Sequence, residues 1–556
     1  MKKGLFYLFL LGLTGCEWAD PVAKTLKICT NPTGVSAKIN ANSQIEYSIV
    51  GSTIDIATIN WKITTSGGLS STLSSTGING TAPWQGIDAF TVTATVTNLC
   101  GTTLPVISTS ISPTYSAWSL GGISNDNANN MTTDNSGNIY VIGEFSSNFN
   151  VFDVNRNLSS TQTSSGNTDV YLAKYNAEGV FQWVSKIGGS GEDNGNEVAV
   201  DNRGNVYVTG VFNGSVSFSN SNQNIATTLT GIGGQDVFLA KYNANGNLIW
   251  ATKGGGSFGD YGYSIAIDNL ENVYVTGGYE GGIINFFNAG NQAKTTAGIS
   301  TTGTDIFTAK FDASGNFLWV RAEVSPLAAG ATDVGYSITT DNAGASYITG
   351  LSWGRVSGST GSNDFFVIKY NSDGSKVWEK TYGGGGNDVG TKIITDNNGS
   401  IYLTGLYEAT VSSLNLAAIG GSDAFVLKIR SADGVLDWAK SIGGNANEVG
   451  EGITVDKDGL VYCIGRYNSS PITQPINLKN AGKTDAFVSK YNRNGVLIGI
   501  ESIGGAGDDI GKCIVVSKTG NRIFGAGRFD ASFSIGTNSI GNFGSTDAFI
   551  FQLGFR

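Results

Sequence analysis

Three landmarks recur seven times along this chain, and no other feature limits its fold as tightly. An Asp closing a strand stands at Asp134, Asp201, Asp268, Asp341, Asp396 and Asp456, with Ser517 in the seventh place. An Asp opening a Phe-rich strand stands at Asp169, Asp236, Asp305, Asp364, Asp423, Asp485 and Asp547. A Trp strand passes through Trp118, Trp183, Trp250, Trp319, Trp378 and Trp438, with Gly499 seventh. Between landmarks lie short alternating runs such as Asn272-Val-Tyr-Val-Thr-Gly277, which suit half-buried strands. Each unit holds four such strands, the content of a propeller blade. The reading is an all-β, seven-bladed β-propeller with four-stranded blades over 114–556. The chain enters on a Trp-type strand and leaves on an Asp-x-Phe strand, so the segment around Trp118 is expected beside Asp547 as the closing strand. Closure removes open sheet edges.

Composition agrees and excludes partners. Gly supplies 79 of 556 residues and charged residues only 14%, which suits many turns and excludes a charge-expanded chain. The net charge of −10 and the lack of a basic run argue against nucleic acid as a partner. There is no His, which removes the Ser-His-Asp triad and imidazole metal sites.

Residues 1–15 read as an address. Lys2 and Lys3 precede an apolar run to Leu13, too short for a membrane helix. Leu13-Thr14-Gly15-Cys16 resembles the lipobox of bacterial lipoproteins. That resemblance implies cleavage before Cys16 and diacylglycerol and palmitate on it. A tether over 16–21 would then anchor the protein to the cell envelope, with the outer membrane as the expected location. Cys29 and Cys100 bracket one segment and are expected to pair in an exported protein. Cys463 and Cys513 lie in expected strands and read as buried thiols. Residues 22–113 alternate apolar and polar positions, as in Phe90-Thr-Val-Thr-Ala-Thr-Val-Thr-Asn98, and predict a small β-sandwich. The end of that segment resembles the last strand of a PKD-like (immunoglobulin-like) domain, which implies a spacer.

The repeated units resemble the bacterial beta-propeller repeat (SBBP) family across about 440 residues. That resemblance implies a fold and an extracytoplasmic setting, and carries no catalytic residue to transfer. The repeated residues read first as structure. Asp134-Asn-Ser-Gly137 and its counterparts are turns, as is Asp456-Lys-Asp458-Gly459, which lacks the ligand spacing of a calcium loop. The periodic Trp is a filler between blades. Its spacing also resembles the tryptophan-docking repeat of quinoprotein propellers, but Tyr175, Tyr242 and Phe311 stand where that repeat has Asp. Lys174, Lys241, Lys310, Lys369, Lys428 and Lys490 end the Asp-x-Phe strands and are expected to find partners in neighbouring blades or solvent.

A further acid stands eight residues before each strand-closing position: Asp126, Asp193, Asp260, Asp333, Asp388, Glu448 and Asp509. These open the innermost strands and are expected to encircle one mouth of the channel. Either backbone N–H groups of the Gly-rich segments satisfy them, or a cation does, with Ca²⁺ the candidate because it takes several oxygen ligands. Variable loops over 146–168, 213–235 and 281–304 are where ligand recognition is expected. The chain thus reads as a non-enzymatic, membrane-anchored scaffold with a protein or glycan ligand on its propeller loops and no catalytic residue or cofactor. A glycan-binding or glycan-hydrolysing propeller is the alternative, since hydrolysis by a carboxylate pair needs no His; a quinone-cofactor dehydrogenase ranks third.

Overall fold

The computed structural model describes residues 32–39, 44–51, 56–65, 70–75, 79–83, 90–98, 107–111, 113–290, 293–297, 303–323, 331–353, 363–468, 472–474, 478, 480–518, 522–536 and 538–555. The expected leader, the lipidation site Cys16 and the Cys29–Cys100 pair lie outside the described residues. The chain divides into two compact units, Met1–Thr114 with Gly554–Arg556, and Tyr115–Leu553.

The first unit is built from two antiparallel sheets. One joins Pro32–Ile39, Gln44–Gly51 and Asn79–Pro83; the other joins Ser70–Ser75, Ile56–Thr65, Phe90–Asn98 and Ile107–Ile111, in that spatial order. Alternation explains its core. Ile59 and Trp61 lie opposite Val96 and Ala94, and all four are buried with Val92. Their neighbours Asn60 and Lys62 are exposed, as the two-residue period of a strand requires.

The second unit is a β-propeller, and here the blade count from sequence is corrected. Hydrogen bonding sorts its strands into six sheets of ten, six, four, four, five and six strands, not seven separate four-stranded blades. Five of these sheets carry one up-and-down meander each, and only two of the five keep to four strands. The ten-stranded sheet runs two consecutive meanders together through pairing of Ile187, Gly188 and Gly189 with Phe218, Ser217 and Val216.

The cause lies in the variable loops. The loop after the second strand of a meander folds into a strand or hairpin and pairs with the outermost strand of the preceding meander. Asn148–Phe152 lies on Pro113–Gly122, and Ile284–Phe287 on Leu248–Gly255. Ile472–Gln474 lies on Leu436–Gly444, and Phe533–Ile535 on Leu497–Gly505. An exposed outer edge is an aggregation hazard, and these additions cover it.

The innermost strands touch in chain order: Asp126–Thr133, Asn194–Val200, Asp260–Ile267, Val334–Thr340, Asp388–Thr395, Glu448–Val455 and Asp509–Val516. The last of them touches the first, which closes the ring. Pro113–Gly122 sits between Asp547–Phe555 and Asn148–Phe152, so a strand from the start of the unit completes the sheet at its end.

Candidate functional site

The repeated residues are consumed in holding the ring together. The Oδ1 of Asp134 accepts the N–H groups of Ser136 and Asn138, each at 2.9 Å, while Tyr140 donates to its Oδ2 at 3.2 Å. Gly137 in that turn has φ +80°, which favours glycine. Asp456 repeats the pattern with Asp458 and Leu460, so this segment is a turn as read. The periodic Trp and Lys work together between units. Trp183 Nε1 and Lys174 Nζ both donate to the Ala244 carbonyl of the next unit, at 3.1 and 3.0 Å. Trp250 and Lys241 do the same to Ala313, and Trp319 and Lys310 to Ser372.

The seven acids that open the innermost strands are fully buried instead of lining an open mouth. Backbone donors meet most of them. Asp126 accepts from Gly122 at 2.7 Å and Ser146 at 3.2 Å; Asp193 accepts from Gly189 at 2.7 Å and Asn213 at 3.3 Å. Asp260, Asp388 and Asp509 accept from Gly256, Gly384 and Gly505 at 2.5, 2.7 and 2.7 Å. Asp333 takes the Ser352 hydroxyl at 2.6 Å and the Trp353 N–H at 2.9 Å. Glu448 donates its own N–H to the Ser422 carbonyl at 2.7 Å. Glycines of the Gly-rich segments thus bond five of the seven, Asp126, Asp193, Asp260, Asp388 and Asp509. Among the described residues no group of three or more Cys, Asp or Glu is placed to hold a metal ion.

A second row of acids lies beside the first. Asp126 and Asp169 are both register partners of Phe145; Asp388 and Asp423 flank Tyr407, and Glu448 and Asp485 flank Tyr467. In several units a glycine pair at the end of the outer strand serves both rows. Gly504 leaves room for Asp485 of its own unit, and Gly505 donates to Asp509 of the next. Gly121 and Gly122 do the same for Asp547 and Asp126. Burial pushes Asp193, Asp388 and Asp509 up to about 7 and Asp126 and Asp260 up to about 8, against the pull of their backbone bonds. The neighbouring carboxylates that add to these shifts, such as Asp547 and Glu144 at Asp126 and Asp485 at Asp509, belong to the second row, to second strands or to adjoining loops, not to the other members of the ring.

Three residues beyond each of these acids the repeat breaks. Those positions hold Asn129, Asn196, Tyr263, Tyr336, Thr391, Glu451 and Lys512, and they line a cavity of about 670 Å³ on the innermost strands. Three of them also lace the ring: Asn129 donates to Gly195 O at 2.9 Å, Asn196 to Gly262 O at 2.8 Å and Thr391 to Gly450 O at 2.5 Å. Lys392 pairs with Glu197 from a strand that is not its neighbour in the ring, so this ion pair spans the channel. Glu451 meets Arg466 at 3.0 Å and Lys512 at 3.5 Å. Tyr263 stacks on Tyr261 and meets Tyr336 edge-on, with ring centroids 6.0 and 5.3 Å apart. Cys513 is buried in the wall, where burial pushes its thiol up to about 12; Cys463 is also a buried free thiol.

Sequence reasoning passed over this channel because it followed what repeats. The usable signal was the opposite one: a single position inside the most regular strand that differs from unit to unit.

Fold and repeat together define a β-propeller repeat protein. A family model described as a beta-propeller repeat matches residues 182–214 and 249–277. An uncharacterized WD repeat-containing protein of Acanthamoeba polyphaga mimivirus is 25% identical over 447 residues, covering 65% of this chain and 32% of the relative. The regulatory protein FlaEY of Caulobacter vibrioides is 24% identical over 345 residues, covering 58% of this chain and 32% of its own length. The chain therefore spans about a third of the length of these relatives. Among solved structures, a Synechocystis apocarotenoid oxygenase covers 85% of this chain, and this chain 93% of it, at 7% identity and a TM-score of 0.34, too distant to bear on activity.

Proposed function

We propose that this protein is a non-enzymatic interaction scaffold of the bacterial cell envelope, lipid-anchored through Cys16, that docks a protein partner on one end of its propeller. One observation carries the reading: the loops at the acid-bearing end expose Ile123, Ile232, Phe258, Ile283 and Phe543, between 41% and 73% accessible. These loops are held rigidly. The N–H groups of Ile232 and Phe543 bond Asp236 and Asp547, and Gly281 packs against the Phe258 ring. Exposed apolar side chains on braced loops mark an interaction surface, although Leu270, Val180, Val435 and Val496 are also exposed, in turns at the opposite end of the strands.

A photo-crosslinking residue at Phe258 or Ile283, in the full chain expressed in a bacterial envelope, is expected to give one discrete adduct of higher mass. Cys16→Ser is expected to release the protein from the membrane fraction. No adduct at either position would refute the scaffold, and unchanged membrane partition of the Ser variant would refute the anchor.

A further inference from the structure

The channel differs in chemistry from the apolar end and asks for a different ligand. Its walls are unlike one another. Tyr263 and Tyr336 present half-buried phenol rings on two consecutive inner strands. Glu451, Arg466 and Lys512 form a connected charged group elsewhere on the lining, and Lys392 with Glu197 forms another.

Each charge on the lining is already in an ion pair, with three cations (Lys392, Arg466 and Lys512) sharing two carboxylates (Glu197 and Glu451), and this disfavours a ligand that must displace a partner. An anion would have to compete with Glu451 for Arg466 and Lys512, and a cation with Lys392 for Glu197. Breaking a part-buried pair leaves an uncompensated charge, which is strongly unfavourable. A neutral ligand leaves the pairs whole and uses their spare capacity. A carboxylate has about four lone-pair sites, an ammonium three N–H groups and a guanidinium five, and these pairs engage only some of them. The phenol rings add broad faces with a polar tip, suited to a ligand with C–H faces and hydroxyl edges. The amide donors of Asn129 and Asn196 are fixed on the next unit, so the lining is held in place before any ligand arrives. The cavity, at about 670 Å³, lies within the range of small-ligand sites.

We propose that the propeller channel is a binding site for a neutral oligosaccharide, with a sugar face against Tyr263 and Tyr336 and its hydroxyls toward Glu451, Arg466 and Lys512. This deepens the scaffold reading by adding a glycan site apart from the apolar end, and it rests on the channel residues alone.

Isothermal titration of the full chain against maltotriose, cellotriose, chitotriose and mannotriose tests it, with inorganic phosphate and spermine as charged comparators. At least one trisaccharide is expected to bind and both comparators to fail. Tyr263→Ala and Tyr336→Ala are each expected to weaken binding about ten-fold or more, and Tyr263→Phe to stay within about three-fold. If an Ala variant does not fold, Tyr336→Leu replaces it, since it keeps bulk and loses the aromatic face. Failure of all four trisaccharides, binding of phosphate or spermine in their place, or sugar binding that survives the Tyr substitutions overturns the proposal. If the sugars fail while Phe258 still crosslinks a partner, the scaffold stands and only the channel assignment falls.

Discussion

Replacing Gly504 with Ala is the sharpest test of how the acids and glycines interlock. A Cβ built there would lie 2.5 Å from Asp485 Oδ1, 3.0 Å from Asp485 Cγ and 2.9 Å from Asp509 Oδ2. Real Cβ atoms do not approach that closely, so one carboxylate must move. Asp485 is held by the Ala481 N–H at 2.5 Å and Asp509 by the Gly505 N–H at 2.7 Å, and both acids are fully buried. Overpacking a tight core costs about 1–3 kcal/mol. Loss of a hydrogen bond to a charged group costs about 1.5–3 kcal/mol more. The expected penalty is about 4 kcal/mol. Unfolding entropy near 2.1 cal/mol/K per residue makes that a fall in Tm of about 4 °C for the Tyr115–Leu553 unit. Differential scanning calorimetry at pH 7 reads it directly. Gly541→Ala is the control, since no heavy atom lies within 4 Å of its Cβ position and its change should stay within about 0.5 kcal/mol. Asp485→Ser makes room, so Gly504→Ala should cost less in that background. A Gly504→Ala variant that melts within 1 °C of wild type, or a penalty unchanged by Asp485→Ser, refutes the interlock.

Three more outcomes follow from the same packing. Burial raises Asp126, Asp193, Asp260, Asp388 and Asp509 to about 7 to 8 from the ordinary carboxylate value of 3.8, so the folded state holds protons that the unfolded state releases. Their contribution is fully present below about pH 4 and lost as pH rises through 7 to 8, so Tm should climb from pH 8.5 to 5.5, and a flat or falling profile would falsify this. Trp183→Phe removes one of two donors to Ala244 O and should cost about 1–2 kcal/mol, whereas Lys174→Met keeps the volume over the Tyr140 ring and should cost under about 1 kcal/mol, both read by denaturant midpoint. Cys463 and Cys513 should resist a thiol reagent in the native protein; the unfolded, unreduced mature chain should show those two thiols and no more, while four would reject a Cys29–Cys100 bridge.

Much of this architecture is legible in the sequence because its determinants are local and repeated. The Asp of each turn bonds N–H groups two and four residues on, so its spacing survives in six units, and only the seventh has Ser517 in its place. Trp and Lys mark the junctions because a single carbonyl of the next unit takes both. Sheet membership is not local. Whether Ile284–Phe287 forms a free loop or extends the sheet of the preceding unit depends on Gly254 and Gly255, some thirty residues back, and alternation within the loop is silent about which edge it joins. Separate blades were therefore expected where the loops run sheets together or widen them. The acids were legible as a ring, yet their burial was not, since the glycines that cover them look like ordinary turns. The channel was hidden for a different reason: Tyr263, Tyr336, Glu451 and Lys512 share a position and no chemistry.

The strand that completes the last sheet also sets an order of events in time. Pro113–Gly122 has Asp547–Phe555 as its neighbour, so two partners separated by nearly the whole unit must meet before the ring shuts. Pairings of such sequence separation form late, because the loop entropy must be met before any contact rewards it. A ribosome finishes the first strand long before it makes the last, and the early strand waits with one edge bare. The bonds of Asn538 to Tyr115 O and of Arg156 to Ser539 O then bind the two ends of the unit side by side. Such a propeller folds as a clasped band: its meanders assemble along the chain, and its resistance to unravelling appears only when the final nine-residue strand snaps home.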